Sequence, residues 1–231
     1  MKIYNFGLNI EPGKYKYKNN YFNKLVEKFS PKVVTPYVVE FLDTDIDRCE
    51  AVVFDKEKRL DFVLIDLEKI EKRVIKSDDE NEKKILQKAQ EALETESLLN
   101  EVSFSEEEKE VLKTLQLVTL KPAVEKNASE DIHINELLSD LLCKAEIILF
   151  FTAGKKEVHA WSVKKGENIL EAAGKIHSDL KRGFIKGEVV SCQHLDDFFN
   201  IAEAKSRGFV KIVDRDYLMQ EADIIEIRFN V

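Results

Sequence analysis

The chain has 231 residues, of which 44% are hydrophobic and 35% charged, and its net charge is −8. That length suits one large domain or two modest ones with a real core, and the overall charge gives no general attraction to polyanions. The longest apolar run, Ile147-Ile148-Leu149-Phe150-Phe151, falls far short of the ~20 residues that span a bilayer. The opening Met1-Lys2-Ile3-Tyr4-Asn5-Phe6 lacks the apolar segment and cleavage site of a leader, so a cytoplasmic product with no membrane partner is expected. Cys49, Cys143 and Cys192 are scattered, as are His133, His159, His177 and His194. No ligand spacing joins them, so neither a disulfide framework nor a metal or cofactor site is expected.

In chain order, Lys2–Leu8 reads as a strand, followed by a polar, Lys-rich link through Asn20. Phe22, Leu25, Val26 and Phe29 have helical spacing and stop before Ser30-Pro31. Val33–Leu42 is strand-like with an interruption at Pro36, and Ala51–Phe54 is a buried-strand candidate. Strands mixed with helices indicate a partial α/β layer.

From Leu60 the texture changes. Val63, Leu67, Ile70 and Val74 form one apolar stripe, and Ile85, Ala89, Ala92 and Leu93 form a second after Ser77-Asp78-Asp79. The expectation is a projecting helical hairpin whose narrow stripes face each other. Ser105 and Glu108 have capping-box spacing ahead of a third helix running to about Leu115. A break follows at Lys121-Pro122. Beyond Glu146 come strands at Ile147–Phe151 and Val158–Val163, a helix at Ile169–His177, a strand at Val189-Val190, a helix at Leu195–Ala204, and strands at Val210–Val213 and Ile224–Phe229. A hairpin, a crossing helix and further strands describe a β-grasp sheet around one helix.

The run Phe150-Phe151-Thr152-Ala153-Gly154-Lys155-Lys156-Glu157-Val158-His159-Ala160-Trp161 carries a resemblance. It continues through Ala172–Asp179 and Arg182–Ile185, and closes with Ile227-Arg228-Phe229-Asn230-Val231. These segments resemble the C-terminal TGS-type domain of the YchF branch of the Obg family of P-loop nucleotidases. Upstream, Asn9-Ile10-Glu11-Pro12 resembles that family's first switch, and Val38–Asp43 resembles the strand leading to its metal-proximal Asp. Leu64–Arg73 and Leu117–Pro122 resemble the borders of its helical insertion.

The resemblance implies a reduced α/β nucleotidase layer at 1–60 and 117–147, a helical insertion at 61–116, and a β-grasp domain at 148–231. A Walker A loop needs G-x-x-x-x-G-K-[ST] to cradle phosphates. Here Gly7 and Gly13-Lys14 are separated by five residues, Tyr15 stands at the hydroxyl position, and Asn9 replaces the switch Thr. Asp43 is followed by Thr44-Asp45-Ile46 rather than by Ala-Gly in the family's D-x-A-G. Asn127-Ala128-Ser129-Glu130 matches the base-reading N-x-x-E, so Asn127, Glu130 and Asp43 are the candidate nucleotide residues, in vestigial form.

No catalytic residue is expected. The primary expectation is a non-enzymatic, translation-associated module that binds the ribosome or structured RNA. The alternatives are a weak adenine-nucleotide sensor and an adaptor binding a protein through the hairpin. Between Gly154 and Lys186 lie eight cations against four acids, a local excess that phosphate contact requires. The candidate RNA-binding residues are Lys155, Lys156, Lys164, Lys165, Lys181, Arg182 and Lys186.

Overall fold

The structure, a computed structural model, describes residues 1–230; the resemblance that closes at Val231 reaches one residue outside them. It divides into two compact units, Met1–Tyr15 with Val39–Ala145, and Lys16–Val38 with the chain from Glu146 on. Residues 16–38, read from sequence as part of the N-terminal layer, therefore belong with the C-terminal unit.

In the first unit, β1 (Lys2–Phe6), β2 (Gly13–Lys16), β4 (Val38–Leu42), β5 (Ala51–Asp55) and β6 (Ala123–Lys126) form a sheet of order β2-β4-β1-β5-β6, while β3 (Val33–Thr35) belongs to the other unit's sheet. β1 pairs in parallel with β4 and β5, and β5 with β6. All five residues of β5 are buried, as expected of a strand covered on both faces. The Lys-rich link therefore contains a strand, β2, that its polar composition hid.

α2 (Arg59–Lys76) and α3 (Glu80–Glu94) make the expected hairpin, broken at Ser77-Asp78-Asp79, with Asp79 accepting from the Asn81 and Glu82 amides. Its packing differs from expectation. Phe62, Val63, Ile70, Leu86, Ala89 and Leu93 are buried in one core with Val52 and Phe54 of β5, Leu98, Leu99, Leu112 and Val118. The stripes do not seal only on each other, because Phe62 and Leu86 widen them into faces broad enough to cover a sheet. α2 leaves Leu60, Leu64 and Ile75 exposed, Ile75 at 85%. The capping box at Ser105 and Glu108 starts α4 (Glu106–Lys113). α5 (Ile134–Lys144) buries Leu137, Leu138, Leu141 and Leu142.

The second unit holds a six-stranded sheet of order β10-β9-β11-β7-β8-β3. Its strands are β3 (Val33–Thr35), β7 (Ile147–Ala153), β8 (Glu157–Lys164), β9 (Phe184–Ser191), β10 (Lys211–Val213) and β11 (Asp223–Phe229). One face is covered by α6 (Ile169–Ile176), whose Ile169, Ala172 and Ala173 pack with Phe150, Val189 and Ile225. α1 (Asn20–Phe29) covers the other face, its Phe22 and Leu25 packing with Phe151, Val158, Val190 and Ile224. Two short helices, α7 (Ser178–Arg182) and α8 (Ile201–Ser206), complete the unit. The helix expected over Leu195–Ala204 is in fact a 3-10 turn at Cys192–Asp197 followed by α8. Among the described residues, no helix is long and apolar enough to cross a membrane.

Candidate nucleic-acid interface

β7 and β8 are antiparallel and in register from Ile147 opposite Lys164 to Ala153 opposite Val158, so the hairpin has two ends. Its tip is Gly154-Lys155-Lys156, closed by the Gly154 N–H donating to Glu157 O at 2.9 Å. The tip backbone is held from the β3 side. Lys32 N–H donates to Lys155 O (3.2 Å) and Val33 N–H to Lys156 O (3.1 Å). A fixed backbone thus carries the exposed side chains of Lys155 and Lys156, and neither makes an ion pair among the described residues.

Strand direction decides which other cations join them. β11 runs parallel to β7 and antiparallel to β9. The carboxyl end of β11, the start of β9 and α7 just before it therefore lie at the tip end of the sheet. That end gathers Lys155, Lys156, Lys181, Arg182 and Lys186. Lys164 and Lys165 sit at the opposite end, where the Lys165 N–H donates to Glu146 O at 2.7 Å. A strand of that length separates the two groups by about 25 Å, so the sequence cluster of seven does not form one patch.

Several of the gathered cations are engaged. Lys181 Nζ lies 2.7 Å from both Glu171 carboxylate oxygens. Arg182 pairs with Asp179 at 2.9 Å, and Lys186 pairs with Asp214. Sequence reasoning missed Arg228, which stands opposite Lys186 and donates to Glu188 at 2.7 Å. Glu188 is buried and also receives Lys205 at 2.7 Å. The hydrogen bond from Lys205, followed by that from Arg228, holds the Glu188 carboxyl below its usual range despite burial. Only strand register reveals this group, because its members come from α8, β9 and β11. Beside the tip lies a cleft of about 670 Å³, walled mostly by aliphatic side chains.

The second candidate set lies in the first unit. β4, β1, β5 and β6 are parallel, so Asp43, Gly7, Asp55 and Asn127 mark the carboxyl edge where α/β sheets receive ligands. Asn127 Oδ1 accepts from Ser129 Oγ (2.8 Å) and Ser129 N–H (3.2 Å), and buried Asp55 accepts from the Ala128 N–H (3.2 Å). Asn127 and Glu130 line one small pocket of about 150 Å³ with His133 and Glu136. Asp43 is not brought to them, since β1 and β5 intervene and strand spacing sets about 14 Å between the ends of β4 and β6.

Between β1 and β2 the turn is stapled by Asn5, which accepts from Leu8 N–H (3.1 Å) and donates to the Leu8 and Ile10 carbonyls (2.9 and 3.0 Å). Gly7 has φ +90°, and a Cβ built there would lie 2.8 Å from Lys58 Nζ. The position thus needs glycine for its left-handed backbone and for the lysine laid over it.

Comparisons with known proteins give this geometry a context. Residues 147–230 match the family model YchF-GTPase_C, described as "Protein of unknown function (DUF933)". The ribosome-binding ATPase YchF of Bacillus subtilis (strain 168) is 32% identical over 237 residues, covering 74% of this chain and 65% of that protein. The ribosome-binding ATPase YchF of Buchnera aphidicola subsp. Schizaphis graminum (strain Sg) is 25% identical over 268 residues, covering 93% of this chain and 71% of that protein. The chain thus spans just under two thirds of the Bacillus relative's length. The solved Schizosaccharomyces pombe YchF GTPase superposes with a TM-score of 0.78 over 95% of this chain and 88% of that one. At 17% identity this likeness shows the α/β fold alone.

Together the sequence matches support kinship with the YchF/Obg-family P-loop NTPases. They overturn the expectation of a non-enzyme. The likeness to proteins named ATPases extends over 93% of the chain in one case, well beyond the C-terminal unit.

Proposed function

We propose, with kinship to the YchF/Obg family as premise, that this chain works in translation by binding the ribosome or structured RNA. In this reading residues 148–231 form a TGS-type β-grasp domain, to which β3 adds an edge strand. The relatives' names, which carry ribosome binding, support the setting. The observation that carries the reading here is the tip end of the sheet. There Lys155 and Lys156 project from a fixed backbone without ion pairs among the described residues, in a chain of net charge −8.

Co-sedimentation with ribosomes tests it. Wild-type association should fall with salt, by a slope of about −0.7 to −0.9 in log K per phosphate contacted. Reversing Lys155, Lys156, Lys181 and Arg182 to Glu should weaken association by at least about tenfold, or ~1.4 kcal/mol, and leave the fold intact. Undiminished binding by that variant, or salt-insensitive binding by wild type, refutes the role.

A second reading keeps adenine nucleotide and ATP turnover at the carboxyl edge of the parallel sheet. It is supported by Asn127 and Glu130 sharing one pocket and by Lys58 lying over Gly7. Phosphate release from ATP, with and without ribosomes, is the measurement. Asn127→Ala and Glu130→Ala should each lower turnover about tenfold or more, and unchanged turnover sinks this reading. The exposed Leu60, Leu64 and Ile75 of α2 leave a protein contact on the hairpin as a further role.

A further inference from the structure

The second unit's sheet carries a separate polar cavity of about 380 Å³ at the end remote from the hairpin tip. Strand register brings its walls together. Asp223, the first residue of β11, stands opposite Ser191 at the end of β9, and Lys211 of β10 stands opposite Val189. Gln220 and Glu221, which lead into β11, line the same cavity.

The free hydrogen-bonding atoms of this cavity are acceptors. Asp223 is 3% exposed, and its Oδ2 takes both the Tyr217 hydroxyl and the Gln220 N–H, each at 3.0 Å. Among the described residues no donor reaches Oδ1. No fully sealed side-chain oxygen or nitrogen among them lacks a partner, so Oδ1 opens on the cavity that Asp223 lines. Glu221 is used in the same one-sided way. Its Oε2 accepts the Leu149 N–H at 2.9 Å, and its Oε1 has no donor among the described residues. Gln220 spends its amide N–H on Leu218 O at 2.9 Å, which leaves its carbonyl oxygen to accept.

Charge points the same way. Two carboxylates line the cavity against one ammonium, that of Lys211, which makes no ion pair among the described residues. His194 also lines it, and any charge it gains is met by Asp197 at 3.1 Å. Arg207, over the ring of the lining Phe209, is answered by Glu203 at 3.4 Å. One negative charge is therefore left over. Burial is the largest influence on the Asp223 carboxyl and pushes it up, while Lys211, the one cation lowering it, acts most weakly.

We propose that this cavity binds an alkylammonium group, its three N–H donors directed to Asp223 Oδ1, Glu221 Oε1 and the Gln220 carbonyl. An ammonium has three donors and no acceptor, and its hydrogen bonds to a carboxylate are of the strong, charge-assisted kind. Val189 and Phe209 offer apolar wall to the methylenes. A phosphate or nucleic-acid ligand would meet two carboxylates instead. Among the described residues no set of three His, Cys, Asp or Glu side chains could hold a metal ion. The same ammonium chemistry is offered by a free diamine and by the lysine of a partner protein. The inference goes beyond the ribosome reading and does not rest on it.

The test is calorimetric titration of the full chain at pH 7 and low salt with three probes. These are putrescine, an N-acetylated and C-amidated pentapeptide with a central lysine, and the same peptide with norleucine there. At least one ammonium probe should bind with Kd on the order of 0.1–1 mM, and the norleucine peptide at least about tenfold more weakly. Tighter binding of putrescine assigns the site to free amines, and tighter binding of the lysine peptide assigns it to a partner's side chain. Asp223→Asn keeps an acceptor for both resident donors but turns an N–H₂ to the cavity, and should weaken binding at least about tenfold. Glu221→Gln, which can still accept the Leu149 N–H, should weaken it as well. Lys211→Met removes a like charge and should tighten binding about threefold, the opposite direction to both. The proposal is overturned if neither ammonium probe binds saturably, or if norleucine binds as well as lysine. It is equally overturned if Asp223→Asn and Glu221→Gln bind as wild type does, or if Lys211→Met binds more weakly.

Discussion

Asp66, fully buried on α2, accepts the Thr119 N–H at 2.6 Å, and with it the Thr119 hydroxyl at 2.7 Å and the Val118 N–H at 3.0 Å. One carboxylate thus fastens the segment entering β6 to the middle of the hairpin, and its own charge is met by three donors and by Lys69 at 3.7 Å. Asp66→Ala would leave those donors buried and unpaired, at a cost of about 3–5 kcal/mol. Urea unfolding followed by far-ultraviolet ellipticity should show the loss. The midpoint read from Trp161 fluorescence, in the other unit, should stay put.

Ile70 and Leu86 are both fully buried in the core that the hairpin shares with Val52 and Phe54 of β5. Ile70→Asp should therefore cost more than 4 kcal/mol, at the diagnostic end of single substitutions, and unfold the first unit as a whole. If only the hairpin frays and the remaining ellipticity melts as in wild type, the shared core is wrong.

Glu188 is held below its usual range first by the hydrogen bond from Lys205. A depressed carboxylate contributes stability that is present above its unfolded pKa and is lost as pH falls through its folded value. Glu188→Gln should cost about 1–2 kcal/mol at pH 7, a discounted figure because Lys205 and Arg228 are half in water. The gap to wild type should close as pH drops below about 4.3, the unfolded Glu value. Chemical denaturation at stepped pH, read at Trp161, checks both the size and the sign.

Asp223 behaves in the opposite sense. Burial pushes its carboxyl up, opposed by the Gln220 N–H and the Tyr217 hydroxyl, both 3.0 Å from Oδ2. A raised carboxylate favours the fold below its unfolded pKa and loses that contribution as pH rises through its folded value. Asp223→Asn, which keeps an acceptor for both donors, should raise the thermal midpoint at pH 7. The advantage should disappear near pH 4, and a midpoint difference independent of pH would exclude the assignment.

Local signals proved readable and register did not. Ser105 and Glu108 announced a capping box that both hydrogen bonds realise, because a cap depends on residues three apart. The break at Ser77–Asp79 was legible for the same reason. β2 was hidden because Gly13-Lys14-Tyr15-Lys16 alternates exposure on an edge strand and offers no apolar run. Arg228 and Glu188 could not be paired without the register of β11 on β9, which depends on contacts forty residues apart. The seven cations looked like one patch because they are close in sequence, while a β-hairpin sends neighbours in sequence to opposite ends of a sheet. Asp43 and Asn127 were grouped by motif, and two intervening strands separate them.

The placement of Val33–Thr35 beside β8 has a consequence for synthesis. The chain passes between the two units three times, so neither can be released by one cut or completed in one stretch of translation. β3, whose Val33 and Val34 stay about half exposed even in the folded unit, is made well before its partners Glu157, Val158 and His159. At about 5–20 residues per second the wait is roughly 6–25 s, during which an apolar strand has no neighbour. A newborn chain of this kind can complete its second unit only after residues 157–159 have emerged, so the order of emergence fixes the order in which its sheets close.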